Sequence, residues 1–203
     1  MGYSAEHTDR TRRRILDAAG RLFRRHGYAG ARIDEIMAEA DLTRGGFYAH
    51  FSSKADLFAA VMEDELEFTV QLRRAVELDP EGGGAEAIAY YLDPANRRKI
   101  ARGCTVVSNA ADLARADAKT RRRFAAAYDD LVDEFAAIAR GGSEDARRAR
   151  GLAALATCVG AVVLARALQG EERIEALMRG AHEGALAALS GPAARQAPER
   201  GTH

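Results

Sequence analysis

Residues 33–54, IDEIMAEADLTRGGFYAHFSSK, decide the fold of this chain. Four apolar residues recur at helical spacing and predict a short helix with one buried face: Ile33, Ile36, Met37 and Ala40. A tight turn is expected at residues 40–42, with Leu42 as the apolar residue between two helices. Thr43 then occupies the position from which a hydroxyl should cap the second helix.

This second helix is predicted to run from about Arg44 to His50. Phe47 and Phe51 lie four residues apart, so both can enter a core and leave their polar and small neighbours exposed. Two glycines in a helix cost about 2 kcal/mol relative to alanine, and close approach to another surface would justify that cost. The pattern is that of a helix-turn-helix whose second helix enters the DNA major groove.

The first sixty or so residues resemble the DNA-binding domain of TetR-type transcriptional regulators. The matching segments are RRRILDAAGRLFRRHGY at residues 12–28 and IDEIMAEADLTRGGFYAHFSSKADLF at residues 33–58. Family members usually have Ser or Thr just before the first helix of the motif, where this chain has Ala31 and Arg32. The hydroxyl cap is therefore missing; Arg32 could replace a phosphate contact by its charge but could not replace the cap.

The whole chain is predicted to be all-α, because strand signals are almost absent and glycines and prolines separate the helical segments. We expect an N-terminal three-helix helix-turn-helix DNA-binding domain at 1–54, a C-terminal helical effector-binding and dimerisation domain at 55–190, and a disordered tail at 191–203. The expected helices are 8–26, the two of the motif, 53–78 without interruption, 85–92, 95–102, 105–115, 118–140, 143–168 and 171–189.

Composition excludes several classes of protein. The 203 residues carry 30 basic and 30 acidic side chains, so the chain is not a polycation. The arginines within residues 10–14, taken by themselves, are compatible with a solvated helix face. The absence of a secretory signal, of catalytic motifs and of metal-ligand spacing predicts a cytoplasmic protein that is no enzyme and needs no cofactor or metal. Leu152–Leu168, the most apolar stretch, is too short for a membrane span and is interpreted as a buried or interface helix.

The predicted DNA-binding residues lie on and around the second helix of the motif. Arg44 is the best candidate for a base contact, since a guanidinium can donate two hydrogen bonds to guanine. Thr43, Tyr48, His50 and Lys54 are expected to contact phosphates, which fixes register without reading sequence, although His50 could be an ordinary surface histidine. The two glycines would let DNA approach the backbone closely. The set is Arg32, Thr43, Arg44, Gly45, Gly46, Tyr48, His50 and Lys54.

The last two helices carry an apolar stripe that is broader than the surface helix of a monomer needs. The TetR resemblance implies that two helices of each subunit form an intersubunit four-helix bundle, and an ordinary monomeric core is the alternative. The predicted dimer interface comprises Leu152, Leu155, Val159, Val162, Val163, Ile174, Leu177, Ala181 and Ala185.

The resemblance also implies an effector pocket in the C-terminal domain. An apolar and aromatic lining suits a largely apolar ligand held by one or two hydrogen bonds and fits a strongly anionic metabolite poorly. Gly103-Cys104 followed by ADLAR at 111–115 resembles a subgroup of the family with a cysteine beside the cavity. An electrophile that reacts with Cys104 is therefore the second candidate effector. The alternative is that Cys104 only packs in the core, since cysteine is a small hydrophobic residue. Cys158 is expected to serve packing. The candidate lining residues are Phe68, Tyr90, Tyr91, Cys104, Val107, Asn109, Tyr128 and Phe135.

Together these patterns predict a homodimeric, ligand-responsive regulator, most often a repressor, that binds a palindromic double-stranded operator. A small-molecule effector is expected to move the fourth helix and change the distance between the two DNA-reading helices. The alternative is a dimeric helical small-molecule-binding protein whose DNA-binding head is vestigial or mediates protein interaction.

Overall fold

A computed structural model of the chain describes residues 5–64, 67–93 and 105–191. All regular elements within these ranges are helical, in agreement with the predicted all-α class. Arg44–Ala49 is a 3₁₀ helix, which we call the 3₁₀ segment. The α-helices are α1 (Ala5–Gly30), α2 (Ile33–Glu39), α3 (Lys54–Asp64), α4 (Glu67–Leu78), α5 (Gly83–Leu92), α6 (Thr105–Ala114), α7 (Ala118–Ala137), α8 (Glu144–Ala167) and α9 (Glu171–Ser190).

The N-terminal head consists of α1, α2, the 3₁₀ segment and α3 around one apolar core. One face of α1 is buried there, formed by Ile15, Ala18, Ala19, Leu22 and Phe23, and the side chains of Ile15 and Phe23 are fully inaccessible. The Phe58 ring of α3 packs edge-on against Phe23, with ring centroids 5.2 Å apart. Because α3 contributes side chains as far as Met62 to this core, the head core extends past the predicted boundary at residue 54.

The regular path of α1 breaks at Gly27, where the sequence predicted its end. Gly27 has φ +69°, a left-handed conformation that glycine adopts without steric cost, and a further helical turn follows as far as Gly30. The next helix, α2, begins after Arg32, which cannot accept a hydrogen bond through its guanidinium. Of the two hydrogen bonds of a capping box, the one from the N-cap backbone to the side chain three residues later is present: Glu35 Oε2 accepts from the Arg32 N–H at 3.2 Å.

The second helix of the motif is 3₁₀ rather than the predicted α-helix, and His50 is its C-cap residue. Thr43 stands at the N-cap with extended backbone, but its hydroxyl makes no capping hydrogen bond, so that part of the prediction was wrong. The backbone closes the turn instead, with the Gly46 N–H donating to the Thr43 carbonyl oxygen at 3.0 Å. Adjacent glycines disfavour an α-helix, and a short tight 3₁₀ turn is the form that this segment adopts.

The C-terminal body has its own apolar core, formed by side chains of α4 to α9. Helix α8 packs against α7 and α9, and it also contacts α5 and α6. Phe135 of α7 and Ala154 and Cys158 of α8 are fully inaccessible in this core. By length and composition alone α8 could also cross a membrane, and here its buried face packs within the body.

Gly141-Gly142 lies between α7 and α8, as predicted. The break between α4 and α5 is shorter than predicted, since α5 begins at Gly83 rather than at residue 85. Ser143 caps α8 by accepting from the Ala146 N–H at 3.3 Å. The predicted continuity of the fourth helix depends on residues 65–66, which lie outside the described residues, as do the predicted helix 95–102 and the tail from 192. Tyr128 of α7 is 37% exposed and lies between Phe124, which packs against the head core, and Leu131, which is buried in the body core.

Candidate nucleic-acid interface

Aromatic side chains anchor the 3₁₀ segment in the head. Phe47 is fully buried and Phe51 nearly so, as predicted, and their ring centroids lie 6.0 Å apart. The neighbouring Tyr48 packs edge-on against Phe47 at 5.1 Å but remains 62% exposed. The segment is therefore fixed from inside the head while Arg44 and Tyr48 face solvent.

The two glycines of the segment have no packing role within the described part of the chain. A Cβ built on Gly45 would meet no atom within 4 Å, and one built on Gly46 would meet only the Met37 methyl at 3.8 Å. The head itself thus has room for alanine at both positions. A requirement for glycine here must come from something outside the described part of the chain that approaches the backbone closely.

Two arginines at this surface pair with carboxylates of the motif. Arg44 Nη1 lies 3.0 Å from Asp34 Oδ2, across the turn between the two helices. Arg14 Nη2 donates to both the carbonyl oxygen and Oδ2 of Asp41, each at 3.2 Å. Sequence reasoning missed both acidic partners, because their separations along the chain correspond to no local helical spacing.

Other basic side chains lie over aromatic rings. The Arg12 guanidinium is 5.0 Å from the Phe51 ring centroid. Lys54 Nζ lies 4.6 Å from the Tyr28 ring centroid and donates to the Ala29 carbonyl oxygen at 3.4 Å. Partial burial lowers the pKa of Lys54, an effect that the nearby Asp112 and Glu35 carboxylates oppose. Lys54 is therefore held against the end of α1, and its phosphate contact stays a prediction.

The eight predicted DNA-binding residues all lie on the head, and none is fully buried. Gly46, His50 and Lys54 are partly buried, and the others are exposed: Arg32, Thr43, Arg44, Gly45 and Tyr48. This accessibility is compatible with contacts to a partner surface.

Helix α6 joins the head to the body. Its first half places Val107 in the body core, and its last turn places Leu113 in the head core. Between them the helix kinks at Asn109, where φ is −120° and ψ is 15°. Asp112 Oδ2 accepts from the Tyr28 N–H at 2.8 Å, just after the Gly27 break in α1.

A second connection runs from α7 to α3. Arg123 donates to both carboxylate oxygens of Glu63, at 2.7 and 2.5 Å, and to Asp56 Oδ1 at 2.9 Å. The hydrogen bonds to Glu63 raise the pKa of Arg123. The pKa of Asp56 is lowered, first by the Ser52 N–H that it accepts and then by the Ser52 hydroxyl and Arg123. One guanidinium thus ties the body to the last helix of the head.

The predicted effector residues do not form a single group. Tyr91, Val107 and Phe135 are buried together in the body core, and Asn109 is fully inaccessible on the kink of α6. Tyr90 is half-exposed and lines an open cleft of about 870 Å³ between α5 and α9, whose wall also includes Glu175, Arg179 and His182. Tyr128 is exposed. The side chain of Phe68 and all of Cys104 lie outside the described residues.

The predicted interface residues divide into two groups. Most are buried within the single chain and serve its own core: Leu155, Val162, Ile174, Ala181 and Ala185. Val159 and Leu177 are partly buried against that core, whereas Leu152 and Val163 are 37% and 44% exposed. Cys158 of α8 is buried with the first group, and this burial raises the pKa of its thiol to about 12.

Known proteins resemble this chain most clearly in the head. Residues 15–61 match the sequence profile of bacterial regulatory proteins of the tetR family. The chain is 41% identical to the HTH-type transcriptional repressor SCO4008 of Streptomyces coelicolor over 38% of this chain and 39% of that protein. It is 35% identical to the repressor NicS of Pseudomonas putida over 45% of each chain, so both alignments span less than half of these curated relatives.

The resemblance in fold extends over nearly the whole chain. The crystal structure of SCO4454, a TetR-family transcriptional regulator from Streptomyces coelicolor, matches with a TM-score of 0.68 and 27% identity. The match covers 90% of this chain and 97% of that one. Residues 15–61 thus match the tetR family of bacterial regulatory proteins in sequence, and the chain as a whole is similar in fold to a TetR-family transcriptional regulator.

Proposed function

We propose that the protein is a homodimeric, ligand-responsive repressor that inserts the 3₁₀ segment into the major groove of a palindromic operator. The observation that carries this proposal is an exposed Arg44 and Tyr48 beside Gly45, on a segment held by the buried Phe47 and Phe51. Such a segment offers donors to DNA and lets the duplex approach the backbone closely. Repression is supported by SCO4008 and NicS, which are named as repressors.

Arg44 is assigned the base contact. Phosphate contacts are assigned to Arg32, Thr43, Tyr48, His50 and Lys54, with Gly45 and Gly46 allowing the backbone to approach. A guanidinium suits guanine because its parallel N–H groups match two acceptors, N7 and O6, on one base edge. Hydroxyls, ammonium groups and imidazoles suit phosphate oxygens, which carry no sequence information directly. This division of roles is compatible with a chain of balanced formal charge, since only the head needs to attract DNA.

A protein with this role would act in the cytoplasm.

Dimerisation is assigned to the exposed face of α8. Leu152, Val163 and Leu164 of this helix are 37%, 44% and 55% exposed, so a second copy of the chain could cover them. A Cβ built on Gly160 would meet no atom within 4 Å, so another helix could approach there. Pairing α8 and α9 with their symmetry copies in a four-helix bundle would cover this face and place two heads on one side of DNA.

The effector is proposed to be a small, largely apolar or electrophilic molecule that binds in the body. Tyr91, Val107, Asn109 and Phe135 support an apolar environment with few polar groups. Helix α6, which enters both cores, offers a path by which a ligand-induced change in the body could reach α1, in addition to the expected movement of the predicted fourth helix at residues 53–78. A ligand would shift the DNA-binding equilibrium only as far as it prefers one arrangement over the other. Cys104→Ser should abolish a response to electrophiles and spare one to apolar ligands.

Selection of duplexes from a random-sequence pool by the full-length protein tests this function. Enriched sequences should form an inverted repeat with half-sites about 10 base pairs apart, or a multiple of that distance. Enrichment of a single, non-repeated half-site would contradict the dimeric arrangement. If no sequence is enriched at any salt concentration, the helical small-molecule-binding protein with a vestigial head becomes the better description.

A further inference from the structure

Arg44, the proposed base-reading side chain, is held by a carboxylate of the preceding helix. Asp34 lies in the first turn of α2, and its Oδ2 accepts from Arg44 Nη1 at 3.0 Å. Both side chains remain accessible, at 65% exposure for Arg44 and 45% for Asp34. The pair therefore lies on the surface of the head without being enclosed by it.

We infer that Asp34 is a positioning residue for sequence recognition, which orients the Arg44 guanidinium for a base edge. This inference rests on the proposed function, because it assigns Asp34 a role in the same contact with DNA. It differs from an assignment of Asp34 as a DNA ligand, since Asp34 is proposed to act through Arg44.

The geometry of the guanidinium supports this role. A guanidinium has five N–H donors in a rigid planar fork, so fixing one corner fixes the direction of the remaining edges. Asp34 contacts Nη1 and leaves the edge formed by Nε and Nη2 available for two parallel hydrogen bonds. Guanine presents N7 and O6 in the major groove as the matching pair of acceptors.

Charge adds a second reason. Without a carboxylate beside it, an arginine on a flexible side chain next to DNA would turn towards the nearest phosphate, which attracts it irrespective of sequence. The negative charge of Asp34 competes with phosphate for Arg44 and repels the backbone. Because an exposed ion pair is weak, Asp34 can bias the orientation of Arg44 without preventing it from binding a base.

The test compares base preferences of four variants with the wild-type protein. These are Asp34→Asn, Arg44→Ala, the double variant, and Glu39→Gln as a matched control. Glu39 lies on the same helix, is 39% exposed and pairs with Arg21 at 3.0 Å, so its replacement removes an equal charge and a similar ion pair. Each protein is titrated with the selected operator, with operators substituted at single positions, and with an unrelated duplex. Thermal unfolding checks that each variant is folded.

Asp34→Asn should reduce discrimination about fivefold at the position read by Arg44 and strengthen binding to the unrelated duplex. Glu39→Gln should leave discrimination unchanged, and Asp34→Asn should have no further effect on it in the Arg44→Ala background. If Arg44→Ala loses the preference while Asp34→Asn retains it, the inference is wrong and the proposed function stands. If Asp34→Asn alters preference without Arg44, Asp34 contacts a base itself and the positioning role is wrong. A wild-type protein without any sequence preference would refute the proposed function first.

Discussion

At the scale of single residues, Gly45 is a position where folding stability and the proposed DNA contact favour different amino acids. The head has empty space around it, so stability alone would accept alanine. The proposed contact with DNA would not, because a methyl group would separate the backbone from the duplex.

We therefore expect Gly45→Ala to keep or raise the thermal unfolding midpoint while weakening operator binding. Alanine is the better helix former, whereas an extra methyl group in a close contact typically costs about 1–3 kcal/mol. Calorimetry and fluorescence anisotropy with a labelled operator measure the two effects on one preparation. Full operator affinity in the alanine variant would mean that DNA does not approach at Gly45.

Predictions for single residues were correct where helical periodicity determines which side chains are buried, and they failed where contacts depend on the arrangement of separate helices. The burial of Phe47 and Phe51 was predictable, because a four-residue spacing puts both rings on one face. The pairing of Asp34 with Arg44 was not, because the two residues meet only through the angle of the turn between their helices. The hydroxyl cap of Thr43 was predicted for an α-helix, and the tighter 3₁₀ turn does not form it.

At the scale of elements, α6 is the helix that belongs to both cores. Its last turn is fastened to the head by Leu113 and by the bond from the Tyr28 N–H to Asp112. The sequence predicted the bounds of this helix closely, but an apolar pattern shows only that a residue is buried. It could not show that Val107 and Leu113 enter different cores.

Asp112→Ala should lower the free energy of unfolding by about 1–3 kcal/mol, since the partly buried Tyr28 N–H would lose its acceptor. Asp112→Asn keeps an acceptor oxygen and should lose less. The control is Asp129→Ala, which removes an exposed ion pair with Arg148 and should cost less than about 1 kcal/mol. Urea denaturation measures all three, and equal losses for Asp112→Ala and Asp129→Ala would contradict a structural role for the Tyr28 bond.

At the scale of the whole molecule, the exposed apolar face of α8 is the feature that a single chain leaves uncovered. The sequence predicted an apolar stripe here but could not divide it, because helical periodicity does not say whether a side chain packs in its own chain or a second copy. The division falls between neighbours: Val162 is 2% exposed and Val163 is 44% exposed.

This contrast gives a matched pair of substitutions. Val163→Glu should yield folded monomers, because it places a charge on the proposed interface alone. Val162→Glu should prevent stable folding, because a carboxylate buried in the core costs several kcal/mol. Sedimentation velocity and circular dichroism distinguish the two results. A wild-type protein that is a folded monomer at micromolar concentration would contradict the proposed dimer, as would a Val163→Glu variant that still dimerises.

The most direct test of the central claim is the affinity of the wild-type protein for DNA from its own upstream promoter, measured against a scrambled duplex over a range of salt concentrations. The promoter duplex should bind with a Kd in the nanomolar to sub-micromolar range, about a thousandfold or more tighter than the scrambled duplex. Its affinity should fall as salt rises, since phosphate contacts release counterions. Equal affinity for both duplexes at every salt concentration would contradict the claim that this head reads DNA sequence.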